Sequence, residues 1–384
     1  MRVTWGRIVV FAAAALALIF MTAPLLEAQD KRRFQRAPTA ADSGEGNTVA
    51  KINNWTVGLA GGLPEGTFLR FSAEIARNVN DAENLRVLPV VTQGATDNIK
   101  DLLYLRGIDI AITNADVLEH FKTVERIPNI EKRINFVSEM VISEVHMVVR
   151  PEINSFKDLE GKKVSFHTAG AGSSTTAPIV FQRMGVKVEP VYINNAIALE
   201  KMRTGEIAAI VNNGAKPQDL LSKFKNDAGF KLMSIPFDRF DDAYYIPAVL
   251  TSDDYPNFIK PGEKVNTLGV QTVLAVYNWP RDSDRYRRVE RFIEYYFDRF
   301  EGLQKPPYHP KWKSVNLAAQ VPGWTRYVAA EERLKQLTVA KAKPAAPSSE
   351  QARAQPVRTG TTDAAAQEKL FQQFLEWSRK QGKR

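Results

Sequence analysis

The sequence predicts an α/β protein built as two similar lobes, each a parallel sheet covered by helices. Three observations predict it. Strand and helix signals alternate from residue 51 onward. The alternation runs twice in one order: strand, small-residue loop, helix, strand, loop, helix, strand. The two runs share landmarks, Gly107 matching Gly205, Ile110-Ala111-Ile112 matching Ala208-Ala209-Ile210, and Asn114 matching Asn212. A length of 384 residues accommodates two domains of ordinary size.

In the first run, "WTVGLA" (55–60) reads as a strand that "GGLPEG" (61–66) ends. "TFLRFSAEIARNV" (67–79) carries Phe68, Phe71, Ile75 and Val79 at helical spacing. "RVLPVVT" (86–92) is a strand, "ATDNIKDLLYLRG" (95–107) a helix closed by Gly107, and "IDIAITN" (108–114) a short buried strand. The second run repeats this logic. "KKVSFH" (162–167) leads through a Gly/Ser loop into a helix that stops at Gly185. "VEPVYIN" (188–194), a helix at 195–205 and "EIAAIVNN" (206–213) follow. Further on, "FKLMSIPF" (230–237) and "TLGVQTVLAVY" (267–277) read as strands, with His146 in "SEVHMVV" a packed strand histidine. Residues 283–303 form an amphipathic helix with Ser283 as its N-cap.

Ligands of parallel α/β sheets sit beyond the carboxyl ends of the strands. Four loops qualify: 60–67, 92–97, 167–175 and 194–196. Each is rich in small or amide residues and leads into a helix N-terminus, where unpaired N–H groups carry about half a positive charge. Their arrangement suits an anionic small molecule, especially a carboxylate. The candidate ligand-binding residues are Gly61, Gly62, Thr67 and Phe68 in the first loop, and Gln93, Gly94 and Thr96 in the second. His167, Gly170, Gly172, Ser173, Ser174 and Thr175 come from the third. Asn195 opens the fourth helix, Asn114 and Asn212 end strands, and Lys216 offers a counter-charge. Competing structural readings exist for several: Ser173 as a helix cap, Asn114 and Asn212 as local turn formers, Lys216 as a solvent-facing lysine, and Tyr244 and Tyr245 as core or cleft.

Several chemistries are excluded or disfavoured. The chain has no cysteine, so disulfides, thiolate metal sites and cysteine nucleophiles are absent. Its four histidines, His120, His146, His167 and His309, form no HExxH and no i,i+4 pair, so no metal site is expected. "GAGSS" lacks the glycine that a GxSxG nucleophile turn needs, and no GxxxxGK[ST] phosphate loop occurs. Neither a catalytic residue nor a cofactor is expected. The formal charge of +9 lies largely in "KRRFQR" and the C-terminal tail, without the aromatic–basic stripe of single-strand binders, so no nucleic-acid partner is expected.

The N-terminus reads as a secretion signal over 1–28: Arg2 and Arg7, then the apolar "IVVFAAAALALIFM", then a cleavage point after Ala28. Uncleaved, it would anchor the chain to the membrane. Residues 29–50 read as a linker, 340–362 as a disordered linker, and 365–380 as an amphipathic tail helix.

At "LPVVTQGATDNIKDLLYLRGIDIAITNAD", "INSFKDLEGKKVSFHTAGAGSSTTA" and "MRTGEIAAIVNNGAKPQDL" the chain resembles the TAXI solute receptors of tripartite ATP-independent periplasmic (TRAP) transporters. "HPKWK" and "PGWTRY" match more loosely, and the resemblance spans about 50–335. It implies a type II periplasmic binding fold: two similar α/β lobes with mixed, mainly parallel sheets joined by a hinge. On this reading lobe one is 51–145 plus 265–335, and lobe two is 146–264. The resemblance implies a periplasmic receptor that hands a carboxylate or amino acid such as glutamate to an ion-gradient-driven TRAP permease. The first loop, "GGLPEGTFLRF", departs from the family's "GGTGGTYYPLG"-like string and brings Glu65 to the site. The tail helix also permits a periplasmic sensor or adaptor that signals to a membrane partner.

Overall fold

The repeated alternation folds into two parallel strand triplets. The structure is a computed structural model that describes residues 45–81, 84–240 and 244–342. In chain order it contains α1 (Glu45–Asn54), β1 (Thr56–Ala60), α2 (Thr67–Val79), β2 (Arg86–Val90), α3 (Ala95–Tyr104), β3 (Ile110–Asn114), α4 (Ala115–Thr123), α5 (Ile130–Arg133) and β4 (Ile134–Val149). There follow β5 (Lys163–Ser165), α6 (Gly172–Met184), β6 (Glu189–Val191), α7 (Asn195–Arg203), β7 (Ala209–Gly214), α8 (Asp219–Ser222), β8 (Lys231–Leu232), β9 (Tyr245–Thr251) and β10 (Lys264–Tyr277). α9 (Asp284–Asp298), α10 (Phe300–Leu303) and α11 (Val328–Ala342) complete it. No described helix is long and apolar enough to cross a membrane.

In lobe one β1 pairs in parallel with β2 and β3; in lobe two β5 pairs in parallel with β6 and β7. Every antiparallel pairing between these strands involves β4 or β10. The strand order is β2-β1-β3-β10-β4-β7-β5-β6, with β8 beside β4 and β9 beside β10. β3 pairs with the last part of β10 (Thr272–Val276), and β7 with the last part of β4 (Glu144–Val149). Each long strand therefore serves both lobes. Between them the register shifts: Ile142 opposes Gln271, but Glu139 opposes Val273. Such a bulge is a local bend in an otherwise continuous ladder.

Each lobe has its own apolar core. In lobe one Ile99, Leu102, Val117, Phe121 and Phe136 cluster between α3, α4 and the sheet. In lobe two Phe156, Phe166, Val180 and Phe181 fill one face, and Leu199, Met202, Tyr255 and Ile259 the other. The helix predicted at 67–79 forms at Thr67–Val79. Gly185 closes α6 in the left-handed conformation (φ +67°), a position glycine occupies without a Cβ penalty.

Several expectations need correction. The linker reading of 29–50 fails at its end, where α1 starts at Glu45. The strand expected over 230–237 is only two residues long. The helix expected over 283–303 breaks at Arg299; Ser283 does cap it, accepting the Tyr286 N–H at 3.1 Å. The signal segment 1–28 and the tail helix 365–380 lie outside the described residues, as does nearly all of 340–362.

The segment after α10 returns to lobe one and is anchored by Trp312, which is fully buried. Its ring meets Phe71 edge-on at 5.2 Å and Phe300 at 6.1 Å, and its Nε1–H donates to Glu74 at 2.6 Å. Trp312→Ala removes the ring and one donor to Glu74, which keeps the His309 N–H and Arg70, so we expect a loss of about 3–5 kcal/mol in urea unfolding.

Candidate functional site

The carboxyl ends of both strand triplets point at one place between the lobes. There a cavity of about 60 Å³ is bounded by the loops that start α2, α3, α6 and α7. From the first loop its wall takes Gly62, Glu65, Thr67 and Phe68, and from the second Gln93 and Gly94. The third supplies His167, Gly172 and Ser173, and the fourth Asn195. Asn114, at the end of β3, and Asn212, within β7, complete the predicted residues that meet there. Asn213, Gly214, Gln218 and Leu220 also contribute and were not singled out from the sequence.

Six predicted residues lie outside the wall and have other work. A methyl on Gly61 would sit 2.7 Å from Ser72 Oγ and 2.9 Å from Leu69 Cα, so its bareness lets α2 approach the strand end. Ser174 Oγ donates to the Ala171 carbonyl at 2.7 Å, bracing the first turn of α6. Lys216 does not face the cavity: its Nζ donates to Val249 O at 2.6 Å and pairs with Asp254 at 2.9 Å. The other three, Thr96, Gly170 and Thr175, belong to a seam across the lobes. The Gly170 carbonyl accepts the N–H groups of Thr96 and Asp97 at 2.9 and 3.2 Å. The hydroxyls of Thr96 and Thr175 meet at 2.9 Å.

The seam explains two glycines. A methyl built on Gly172 would lie 2.2 Å from Asn114 Oδ1, and one on Gly94 would lie 3.1 Å from the Ala171 Cα. Both positions need a bare backbone because the lobes touch there. Gly94 also has φ +129°, which side chains rarely adopt.

Helix starts and polar side chains together line the site. The N-caps of α2, α3 and α6 are Gly66, Gly94 and Ala171, none of which makes a side-chain capping bond. In α6 the Ser174 N–H turns back to the Ala171 carbonyl at 3.1 Å, and the N–H groups of Gly172 and Ser173 have no carbonyl of their own helix and no cap. At α7, Asn194 accepts the Ala196 N–H at 2.8 Å and donates its own amide to Glu65.

His167 adopts φ +65°, a strained conformation for a residue with a Cβ. Its Nδ1 accepts the Thr168 N–H at 2.7 Å, so the neutral ring carries its proton on Nε2. Burial lowers its pKa and favours that neutral form. His146 is fully buried on β4, with Tyr255 OH 2.8 Å from its Nε2 and Gln218 beside its Nδ1. Burial pushes its pKa down to about 4, so it stays neutral behind the cavity wall.

The residue that sequence reasoning missed is Asp116, in the first turn of α4. Its Oδ2 accepts the Thr176 hydroxyl at 2.6 Å and the Tyr245 hydroxyl at 3.2 Å, both from lobe two. Thr176 Oγ1 in turn accepts the Asn213 amide at 2.7 Å. Burial raises the Asp116 pKa from 3.8 to about 6 despite these donors. An acid with a raised folded-state pKa makes the fold less stable as pH climbs from about 4 to about 6, and the loss is constant above that. Asp116→Asn is therefore expected to exceed the wild type in urea-unfolding stability at pH 7, by up to about 3 kcal/mol, and to lose that lead by pH 4.

Residues 60–322 match the NMT1-like family. No curated protein matches the chain. Among solved structures, the backbone is similar to that of a periplasmic transporter at 13% identity, covering 74% of this chain and 93% of that one, with a TM-score of 0.45. It is similar to the periplasmic binding protein BugD at 14% identity, covering 75% and 95%, with a TM-score of 0.45. It is also similar to a TRAP periplasmic solute-binding protein from Shewanella oneidensis with bound succinate, at 12% identity, covering 75% and 85%, with a TM-score of 0.39. With the matched span running from the end of β1 through both lobes and the returning segment, the chain belongs to the NMT1-like family.

Proposed function

We propose that this protein is an extracytoplasmic solute receptor. It captures a small carboxylate or amino acid between its lobes and delivers it to a membrane permease driven by an ion gradient, of the TRAP type. The observation that carries this reading is the convergence of four helix N-termini on one interlobe cavity. Backbone amides there favour negative charge without a cation having to be desolvated. The hinge strands β4 and β10 allow the lobes to part and admit the solute. Only a solute with higher affinity for the closed arrangement drives closure. In this reading residues 1–28 direct the chain to the periplasm, and lobe one and lobe two have the boundaries drawn from the resemblance.

Binding without chemistry also accounts for the hydroxyls. Ser173 Oγ accepts the Asn213 N–H at 2.8 Å, and His167 Nδ1 is occupied by Thr168. Neither serves the other as nucleophile or base. The hydroxyl of Ser173 instead fixes the end of β7 against α6.

Thermal-shift screening of ligand-free protein against amino acids and organic acids is expected to raise Tm for at least one of them. No stabilisation by any would sink the receptor reading. Gly172→Ala is expected to weaken binding of the best solute at least tenfold, because a methyl there holds the lobes apart, while circular dichroism of the solute-free protein stays unchanged.

A further inference from the structure

Resting on the receptor reading, we infer that the solute is a small zwitterion, one ammonium and one carboxylate group on a compact body, rather than a dicarboxylate. The ammonium is held by Glu65 and Asn195, and the carboxylate by Asn114 and the first turn of α6.

The charge of the wall comes first. Among the described residues it holds one carboxylate, Glu65, and no lysine or arginine. Lys216, the nearest predicted counter-ion, is spent on Asp254. His167 is neutral and donates only through Nε2. A dicarboxylate closed into this wall would face Glu65 with helix ends alone to balance three negative charges. Each end offers about half a charge.

The helix ends are also unequal. The start of α3 is already supplied by the Gly170 carbonyl, and the start of α7 is capped by Asn194 and faced by Glu65. α6 has an alanine and α2 a glycine as N-cap, so neither has a capping side-chain oxygen. Beside α6 lies Asn114, 1% exposed, whose Nδ2 has no hydrogen-bond partner. A buried amide donor left unpaired costs about 1–3 kcal/mol unless a ligand completes it. With Asn114 Oδ1 packed against Gly172 and the Ser174 N–H bonded to Ala171, the donors left open here are Asn114 Nδ2 and the N–H groups of Gly172 and Ser173, and one carboxylate satisfies them.

Another part of the wall has the opposite sign. Asn195, 2% exposed, has an unpartnered Oδ1, and it follows directly on Asn194, which binds Glu65. An amide oxygen and a carboxylate, both acceptors, call for a group that only donates. An ammonium has three N–H donors and a compensating charge. The cavity of about 60 Å³ is small beside the ~150 Å³ that accommodates benzene, which favours a short side chain.

The test is isothermal titration of the full-length protein with matched solutes: glycine, alanine, serine and proline against propionate, lactate, succinate and ribose. At least one amino acid is expected to bind ten times or more tighter than its deaminated counterpart and than succinate. Glu65→Gln is expected to lower that amino acid's affinity at least tenfold without lowering that of the deaminated acid. Binding of succinate, propionate or ribose as tight as that of every amino acid overturns the zwitterion and leaves the receptor reading standing. So does an equal loss for both solutes in Glu65→Gln. Binding of nothing in the panel or in a wider screen removes the receptor reading itself.

Discussion

The pairing of β4 with β10 is the constraint on which the rest of the structure depends. These strands have 16 and 14 residues, on the order of 50 Å of extended chain, enough to pass through both lobes. One end of their ladder receives β3 and the other β7, so both parallel triplets are held with their carboxyl ends facing one gap. The helices that follow those ends must then start at the gap. Cavity and seam both follow from how this one ladder joins the two strand triplets into a single ten-stranded sheet, with register shifts at Gln271/Val273 and at Leu274/Ala275.

The seam and the cavity use polar groups in different ways. Along the seam nearly every group finds its partner in the other lobe: Thr96 with Thr175, Gly170 with two N–H groups, Asp116 with Thr176 and Tyr245. Within the cavity several buried amides do not, Asn114 and Asn195 among them. On the proposed receptor reading, a satisfied seam makes closure specific, whereas an unsatisfied cavity makes closure without a guest costly.

Much of this fold was legible because it is written in local signals. Glycines stop helices, and Gly107 and Gly205, both at positive φ, mark the same turn in each lobe. Small residues at strand ends located the loops, and twelve of the residues they nominated line the one cavity. Three features were not legible, for physical reasons. Of β4 only "SEVHMVV" reads as strand in the sequence; β4 is buried almost throughout, so it lacks the period of two that betrays a half-exposed strand. Asp116 reads as an ordinary acidic residue in a helix's first turn; its partners lie 60 and 129 positions away, beyond any periodic pattern. Lys216 sits beside the right loop, but its side chain is claimed by Asp254 from a turn whose position no local spacing reveals.

One salt bridge reaches further than its size suggests. Lys311, in the returning segment of lobe one, pairs with Glu144 on β4, and the same carboxylate accepts the Lys216 N–H at 2.9 Å. Glu144 is 4% exposed, so it depends on both donors. The pivot is therefore finished by a stretch that follows both lobes' sheet strands in the chain. A nascent chain emerging from its N-terminus can assemble most of lobe two while lobe one still lacks β10 and Trp312. The order of synthesis thus keeps the pivot incomplete until residue 311 has emerged, and a molecule cut short before it would have its walls without its pivot.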